Sequence, residues 1–336
     1  MTDTDNKYSS DDIKVLNFSE HVRKRPFMYI GNDGIVGLFE GLLTDCIKLC
    51  KTDEITFEII ISGENDFTFG LTSRHDINPF IKQFTDVSKE FSNYFPKVLK
   101  IVSETFEIIT KENSKTEVAF SFDKTVISNT NIDYLKLTEK VLQFALLNRQ
   151  CEVITIDKRQ KYLTQNYYHY PQGVFYLFDL ATTEVLGKPE FKLTFDNKIN
   201  SNKYQIGLAY RTDWFPSANV ISFANNVYTI CGGSLVNGIL EGLINACKIY
   251  AKENNLTTYK INKKKFVNGL ILICAVRGED YKYGGSWKET LEDAVVKKEA
   301  KKLVKKLALD FFNNQKEKAD KFLWRFDTTQ LKSGMY

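Results

Sequence analysis

Glycine is missing from a long part of this chain. The sequence has 336 residues and 18 glycines, yet none falls between Leu71 and Gln172. A backbone cradle for phosphate groups needs residues with positive φ and no Cβ in the way, which is why such loops are rich in glycine. The sequence therefore excludes a phosphate cradle of this kind between these two residues.

Several other features are scarce. The three histidines are scattered, which argues against a Ser-His-Asp or Cys-His pair, and no apolar run reaches the roughly 18 residues of a membrane span. A polar, acidic N-terminus completes the pattern of a cytoplasmic protein without a membrane segment. The six cysteines contain no C-x-x-C pair, which predicts reduced thiols, with Cys46 and Cys50 used for packing on one helix face.

What the chain does have is ordinary globular composition and a mild positive charge. Hydrophobic residues make up 43%, charged residues 26%, and the net charge is +4. The length suits two domains, and the charge permits nucleic-acid contact without indicating it. Apolar residues at helical spacing predict helices at residues 35–50, at 133–148 and near the C-terminus, where the apolar positions are Val296, Ala300, Leu303, Val304, Leu307 and Phe311. Alternating residues predict strands between them. Residues 78–105 are predicted to be helical with a break at Pro96, and residues 167–174 to form a linker.

Separated motifs resemble one family, the B subunits of DNA gyrase and topoisomerase IV. They are "DIKVL" with "VRKRPFMYIG", which departs from the family glycine at Phe27, then "DYLKLTEKVLQFALLNRQCEVITIDKR" and "SFANNVYTICGGS". The resemblance implies an α+β fold, with a GHKL-type α/β sandwich domain followed by a ribosomal-protein-S5-like transducer domain. The expected divisions are an N-terminal arm at 1–20, a GHKL ATPase-like domain at 21–170, and a transducer at 171–336 that ends in a basic helix.

The resemblance also shows which nucleotide-site residues have changed. The family's catalytic glutamate and its magnesium-binding asparagine align with Gly41 and Asp45, so no catalytic base is expected, and Glu40 is rotated about 100° away. The family's Asp-x-Gly-x-Gly aligns with "LTSRH" (residues 71–75), which keeps none of those three residues. Arg74 and Thr116 match family residues beside the adenine. The glycine-rich lid is replaced by the bulky segment "KQFTDVSKEFSNYFPKVLK" (residues 82–100).

Other positions carry open alternatives. Tyr8 matches a family arm tyrosine that reaches into the partner subunit, or is a loose terminal residue. Lys288, in "SWK", aligns with the lysine of the family's Gln-Thr-Lys loop, or is a solvated lysine. Paired lysines on the last helix are candidates for DNA phosphate contact, or form a solvated helix face: Lys297, Lys298, Lys301, Lys302, Lys305 and Lys306.

These observations favour a pseudo-ATPase, a gyrase-B-like protein that has lost hydrolysis and acts by binding. It would form a homodimer that clamps duplex DNA, or pair with a gyrase-like or nuclease subunit, with no cofactor and no metal. The alternative is a divergent, active topoisomerase subunit that uses ATP and Mg²⁺ through Asp45, Arg74, Thr116 and Lys288. A third hypothesis is an inactive mixed dimer with an authentic gyrase subunit.

Overall fold

The structure, a computed structural model, divides into two compact units. It describes residues 16–85, 93–111, 115–183, 188–212, 217–256 and 266–326. The first unit is Met1–Pro171 and the second is Gln172–Tyr336. Tyr8 lies outside the described residues. Among the helices of the described ranges, none has both the length and the apolar character that crossing a membrane requires.

The first unit is a mixed sheet covered by helices. Its helices are α1 Phe18–Lys24, α2 Phe27–Ile30, α3 Ile35–Cys50, α4 Asn78–Ile81, α5 Phe95–Val102 and α6 Tyr134–Leu147. Its strands are β1 Ile55–Ile61, β2 Phe67–Ser73, β3 Ser103–Thr110, β4 Lys115–Phe122, β5 Glu152–Asp157 and β6 Thr164–Tyr168. They lie in the order β3-β4-β2-β1-β5-β6, in which β1 and β5 are parallel and the other pairs antiparallel.

The core of this unit lies between the sheet and α3. Alternate residues of β1 are buried, as the period of two predicts. Phe39 of α3 packs against Phe69 of β2 and Phe120 of β4, with ring centroids 6.4 and 6.1 Å apart. Large aromatic side chains thus fix α3 over the centre of the sheet, with one helix face turned toward the start of α5.

Helix α5 corrects one expectation. The sequence suggested a helix over residues 78–105 broken at Pro96, but α5 begins at Phe95 and Pro96 occupies its first turn. Proline suits this position because the first amide groups of a helix have no partner within it. Pro96 therefore helps to start the helix, and places Phe95 at its N-terminus.

The second unit is a five-stranded sheet with long helices. Its strands are β7 Lys192–Ile199, β8 Asn202–Tyr210, β9 Asn219–Ala224, β10 Val227–Tyr228 and β11 Leu270–Arg277, and a separate pair is β12 Tyr283–Gly284 with β13 Thr290–Leu291. The sheet order is β10-β9-β11-β8-β7. Its helices are α7 Phe175–Thr183, α8 Ser234–Glu253, α9 Ala294–Asn314 and α10 Lys316–Arg325. The mixed fold of both units confirms the α+β prediction.

Small residues allow α8 and α9 to pack closely. A Cβ added at Gly238 would lie 2.5 Å from the carbonyl oxygen of Lys297 and 3.0 Å from Cβ of Ala300. The buried stripe of α9 keeps strict four-residue spacing: Val296, Ala300, Val304, Ala308 and Phe312. The apolar stripe expected from the sequence instead included Leu303, Leu307 and Phe311, which are only partly buried.

Helix α7 was not expected from the sequence, which suggested a linker at residues 167–174. Its Phe178 is fully buried against β8, where a Cβ on Gly207 would overlap the Phe178 ring. A glycine in the middle of β8 therefore makes room for the helix.

Candidate functional site

Phe95 occupies the space in front of Gly41 on α3. A Cβ added at Gly41 would overlap the Phe95 ring, so no other side chain fits at this position without displacing it. The ring stacks on Tyr94 with centroids 4.6 Å apart. The hydroxyl of Tyr94 donates to the carbonyl oxygen of Tyr29, 3.2 Å away. A packed pair of aromatic rings thus lies in front of Gly41, the residue expected from the sequence at the position of the catalytic base.

Asp45 lies one helical turn beyond Gly41 and is hydrogen-bonded to Phe95. Its Oδ2 accepts a hydrogen bond from the backbone N–H of Phe95 at 3.1 Å. Because the side chain is only 5% exposed, burial raises its pKa from 3.8 to about 6, and the Phe95 hydrogen bond opposes this rise. The four-residue spacing brings both Gly41 and Asp45 to the N-terminus of α5, where a carboxylate is favourable.

Glu40, the neighbour of Gly41, is tied to α6. Its Oε2 lies 3.3 Å from Nζ of Lys140, and this Nζ lies 3.1 Å from Asp33. Burial raises the pKa of Glu40, and the charge of Lys140 opposes the rise. The side chain therefore belongs to an ion-pair network that joins α3 to α6.

Leu71, Ser73 and His75, which are expected from the sequence to align with the family's Asp-x-Gly-x-Gly, make contacts within the first unit. Leu71 is 1% exposed and belongs to the core. The hydroxyl of Ser73 donates to the carbonyl oxygen of Glu54 at 3.0 Å, and Nε2 of His75 lies 3.0 Å from Oε2 of the same glutamate. These side chains join β2 to the start of β1.

The other residues expected to contact a nucleotide are Arg74, Thr116 and Lys288. Arg74 is exposed, whereas Thr116 is buried on β4, directly opposite Leu71 in the sheet. Lys288 belongs to the second unit, has a positive φ of 59°, and holds its Nζ 5.5 Å from the ring centroid of Tyr283. In the described ranges, no cluster of three or more His, Cys, Asp or Glu residues is placed to hold a metal ion.

The lysines of α9 comprise an ion-paired set, an exposed row and the partly buried Lys305. Lys297 and Lys301 contact Glu241 of α8 at 2.7 and 2.9 Å, and both interactions lower the pKa of that glutamate. Lys298, Lys302 and Lys306 are exposed at successive four-residue intervals, which makes a single row along the helix. Lys305 is partly buried between them. The exposed row is the part of the cluster that is accessible to a polyanion.

Phe95 and Tyr94 are the residues that sequence reasoning missed. The sequence indicated only that large side chains would lie near the site, because the bulky segment at residues 82–100 replaces the family's glycine-rich lid. It did not identify which of them would contact α3, since Phe95 and Gly41 are far apart in the chain.

The sequence of the chain is similar to that of DNA gyrase B subunits. Residues 176–330 match the family model described as DNA gyrase B. The DNA gyrase B subunit of Archaeoglobus fulgidus is 23% identical over 95% of this chain and 58% of its own length. The gyrase B subunit of Metamycoplasma hominis is 25% identical over 85% of the chain and 54% of its own length. The chain thus spans little more than half of these relatives.

Solved structures show the same fold over nearly the whole chain. The B subunit of Myxococcus xanthus DNA gyrase matches with a TM-score of 0.72 and 19% identity, covering 92% of this chain and 99% of that one. The 43K ATPase domain of Thermus thermophilus gyrase B, solved with an aminocoumarin, gives 0.71 and 17%, covering 92% and 94%. The chain is therefore similar in sequence to DNA gyrase B subunits and shares the fold of these solved structures.

Proposed function

We propose that this protein is a gyrase-B-like pseudo-ATPase, which acts by binding other macromolecules and does not hydrolyse ATP. The observation that carries the proposal is the contact of Phe95 with Gly41, together with the hydrogen bond from Phe95 to Asp45. The Phe95 ring occupies the space in front of Gly41, the residue expected at the position of the catalytic base. The hydrogen bond uses the carboxylate of Asp45 as the partner of a backbone amide.

Chemistry supports this reading. Hydrolysis of a γ-phosphate needs a group that orients the attacking water and a metal that bridges the phosphates. Gly41 offers no such group, and Glu40 is engaged by Lys140. Magnesium requires accessible oxygen ligands, but Asp45 is buried and has the raised pKa of a desolvated carboxyl. The residues do not fit a hydrolytic ATP–magnesium site, and no catalytic step is assigned to them.

Calorimetry tests this proposal directly. A non-hydrolysable ATP analogue with magnesium is titrated into the protein, and a gyrase B fragment serves as the positive control. We expect no binding heat from this protein and no ATP turnover above the buffer rate. Stoichiometric binding with micromolar affinity, or turnover that a substitution of Asp45 removes, would refute the proposal and favour the active topoisomerase subunit.

Duplex DNA is the proposed binding partner of α9. The exposed row of Lys298, Lys302 and Lys306 supports this, because its members are about 6 Å apart along the helix and free of the Glu241 contacts. Replacing Lys298 and Lys302 by Gln should weaken duplex binding and reduce the slope of log K against log salt by up to about 2. The matched control replaces Lys297 and Lys301 by Gln, and should change the slope by less. Equal effects in both variants would contradict the assignment.

A homodimer, or a complex with a gyrase-like or nuclease subunit, is the proposed assembly. Sedimentation equilibrium without nucleotide should give twice the mass of the chain, and Tyr8→Ala should lower the dimer fraction if the arm contributes. A monomer at every concentration would exclude the ATP-independent dimer. Co-purification with an authentic gyrase B protein from the same cells would instead favour the mixed dimer.

A further inference from the structure

Two cysteine sulfur atoms lie side by side at the end of α3. Sγ of Cys46 and Sγ of Cys50 are 3.9 Å apart. Cys46 has no exposed surface, whereas Cys50 is partly exposed and is the last residue of the helix. A reagent from solvent therefore reaches Cys50 first. Cys247 and Cys274 of the second unit are both buried, so neither offers an accessible thiol.

The two thiols also differ in acidity. Burial raises the pKa of Cys46. A hydrogen bond from the Cys46 thiol lowers the pKa of Cys50, burial opposes this, and the backbone N–H of Phe80 favours the thiolate further. Cys50 is thus suited to be the nucleophile, and Cys46 to be the thiol that responds afterwards.

We propose that Cys46 and Cys50 form a modification site for hydrogen peroxide, in which an accessible thiol reacts first and its buried neighbour closes a reversible disulfide. The Cys50 sulfur attacks one peroxide oxygen, the O–O bond breaks, and the second oxygen leaves as water after protonation. Cys50 is then a sulfenic acid. The Cys46 sulfur displaces its hydroxyl as a second water, and the S–S bond forms. The two thiols lose two electrons, and the peroxide gains them.

Closing this bond requires the last turn of α3 to open. Residues four apart on a helix have Cβ atoms about 5–6 Å apart, whereas a disulfide needs about 3.5–4.5 Å. The turn can yield because Cys50 ends the helix and Lys51 already has a left-handed conformation, with φ of 54°. Oxidation therefore acts on the turn that follows Asp45. This inference does not depend on the proposed loss of ATP hydrolysis.

Peptide mapping after peroxide treatment tests the site. The protein carries Cys231→Ser, which removes the exposed cysteine of the second unit and leaves the thiol pair intact. Trypsin cleaves after Lys48, between the two cysteines, so the disulfide appears as two joined peptides that dithiothreitol separates. We expect these joined peptides. Free Cys46 beside over-oxidised Cys50, or a bond between Cys46 and Cys151, would overturn the proposal.

Single variants test the order of reaction. In Cys50→Ser, loss of the Cys46 thiol should slow by at least about tenfold, because peroxide no longer has an accessible entry point. In Cys46→Ser, Cys50 should accumulate as a sulfenic acid that dimedone traps. Unchanged oxidation of Cys46 in the first variant would contradict the relay, and circular dichroism checks that both variants are folded.

Discussion

A double-mutant cycle between Gly41 and Phe95 measures the contact on which the proposed function depends. In the unaltered protein, the Cβ of Gly41→Ala would overlap the Phe95 ring. Such overpacking costs about 1–3 kcal/mol, offset by about 1 kcal/mol because alanine favours a helix more than glycine. We expect Gly41→Ala to lower the free energy of unfolding by about 0–2 kcal/mol.

The same substitution made in a Phe95→Ala background should have the opposite sign. With the ring removed, only the helix preference remains, and Gly41→Ala should stabilise the protein by about 1 kcal/mol. The coupling energy between the two positions is then about 1–3 kcal/mol, which urea unfolding of the four proteins resolves. A coupling below about 0.5 kcal/mol would show that Phe95 does not occupy the space before Gly41 in solution.

Two further predictions concern burial and packing. The pKa of Asp45 is raised from 3.8 in the unfolded chain to about 6 in the folded protein. The contribution of the protonated carboxyl to stability is therefore complete below pH 3.8 and is lost as the pH rises through about 6. Relative to Asp45→Asn, the protein should therefore lose about 3 kcal/mol between roughly pH 4 and pH 7 in urea unfolding, and a difference independent of pH would contradict this. Gly238→Ala should cost about 1–3 kcal/mol, because its Cβ meets backbone of Lys297 and the side chain of Ala300. Lys248→Ala, exposed on the same helix, should change stability by less than about 0.5 kcal/mol in the same thermal or urea assay, and equal losses would exclude the α8–α9 contact as the cause.

The fold was the part most accessible to sequence reasoning. Motifs that begin helices and strands, such as "DYLKLTEKVLQFALLN", depend on local periodicity, and the mixed fold that they predicted is confirmed. Elements without a strong local pattern were missed. Helix α7 packs on β8 because Gly207 has no side chain to collide with the Phe178 ring. The residues of α7 alone do not reveal this contact.

The candidate site was predictable only as a set of positions. Sequence alignment could mark Gly41 and Asp45, because it compares residue types at equivalent places. It could not find Phe95, whose role depends on Pro96 starting a helix there and on α5 packing against α3. The same limit applies to α9, where only the contact with Glu241 separates Lys297 and Lys301 from the exposed row.

The ring in front of Gly41 belongs to Phe95 of the same chain. Its local concentration at Gly41 is therefore set by the chain that connects the two residues. A tethered group has an effective concentration that can reach the millimolar range or above, and dilution does not change it. Proteins that bind a free ligand gain stability in proportion to the logarithm of its concentration. Because Phe95 belongs to the chain, the stabilisation from filling the space beside Gly41 does not depend on the concentration of any free ligand.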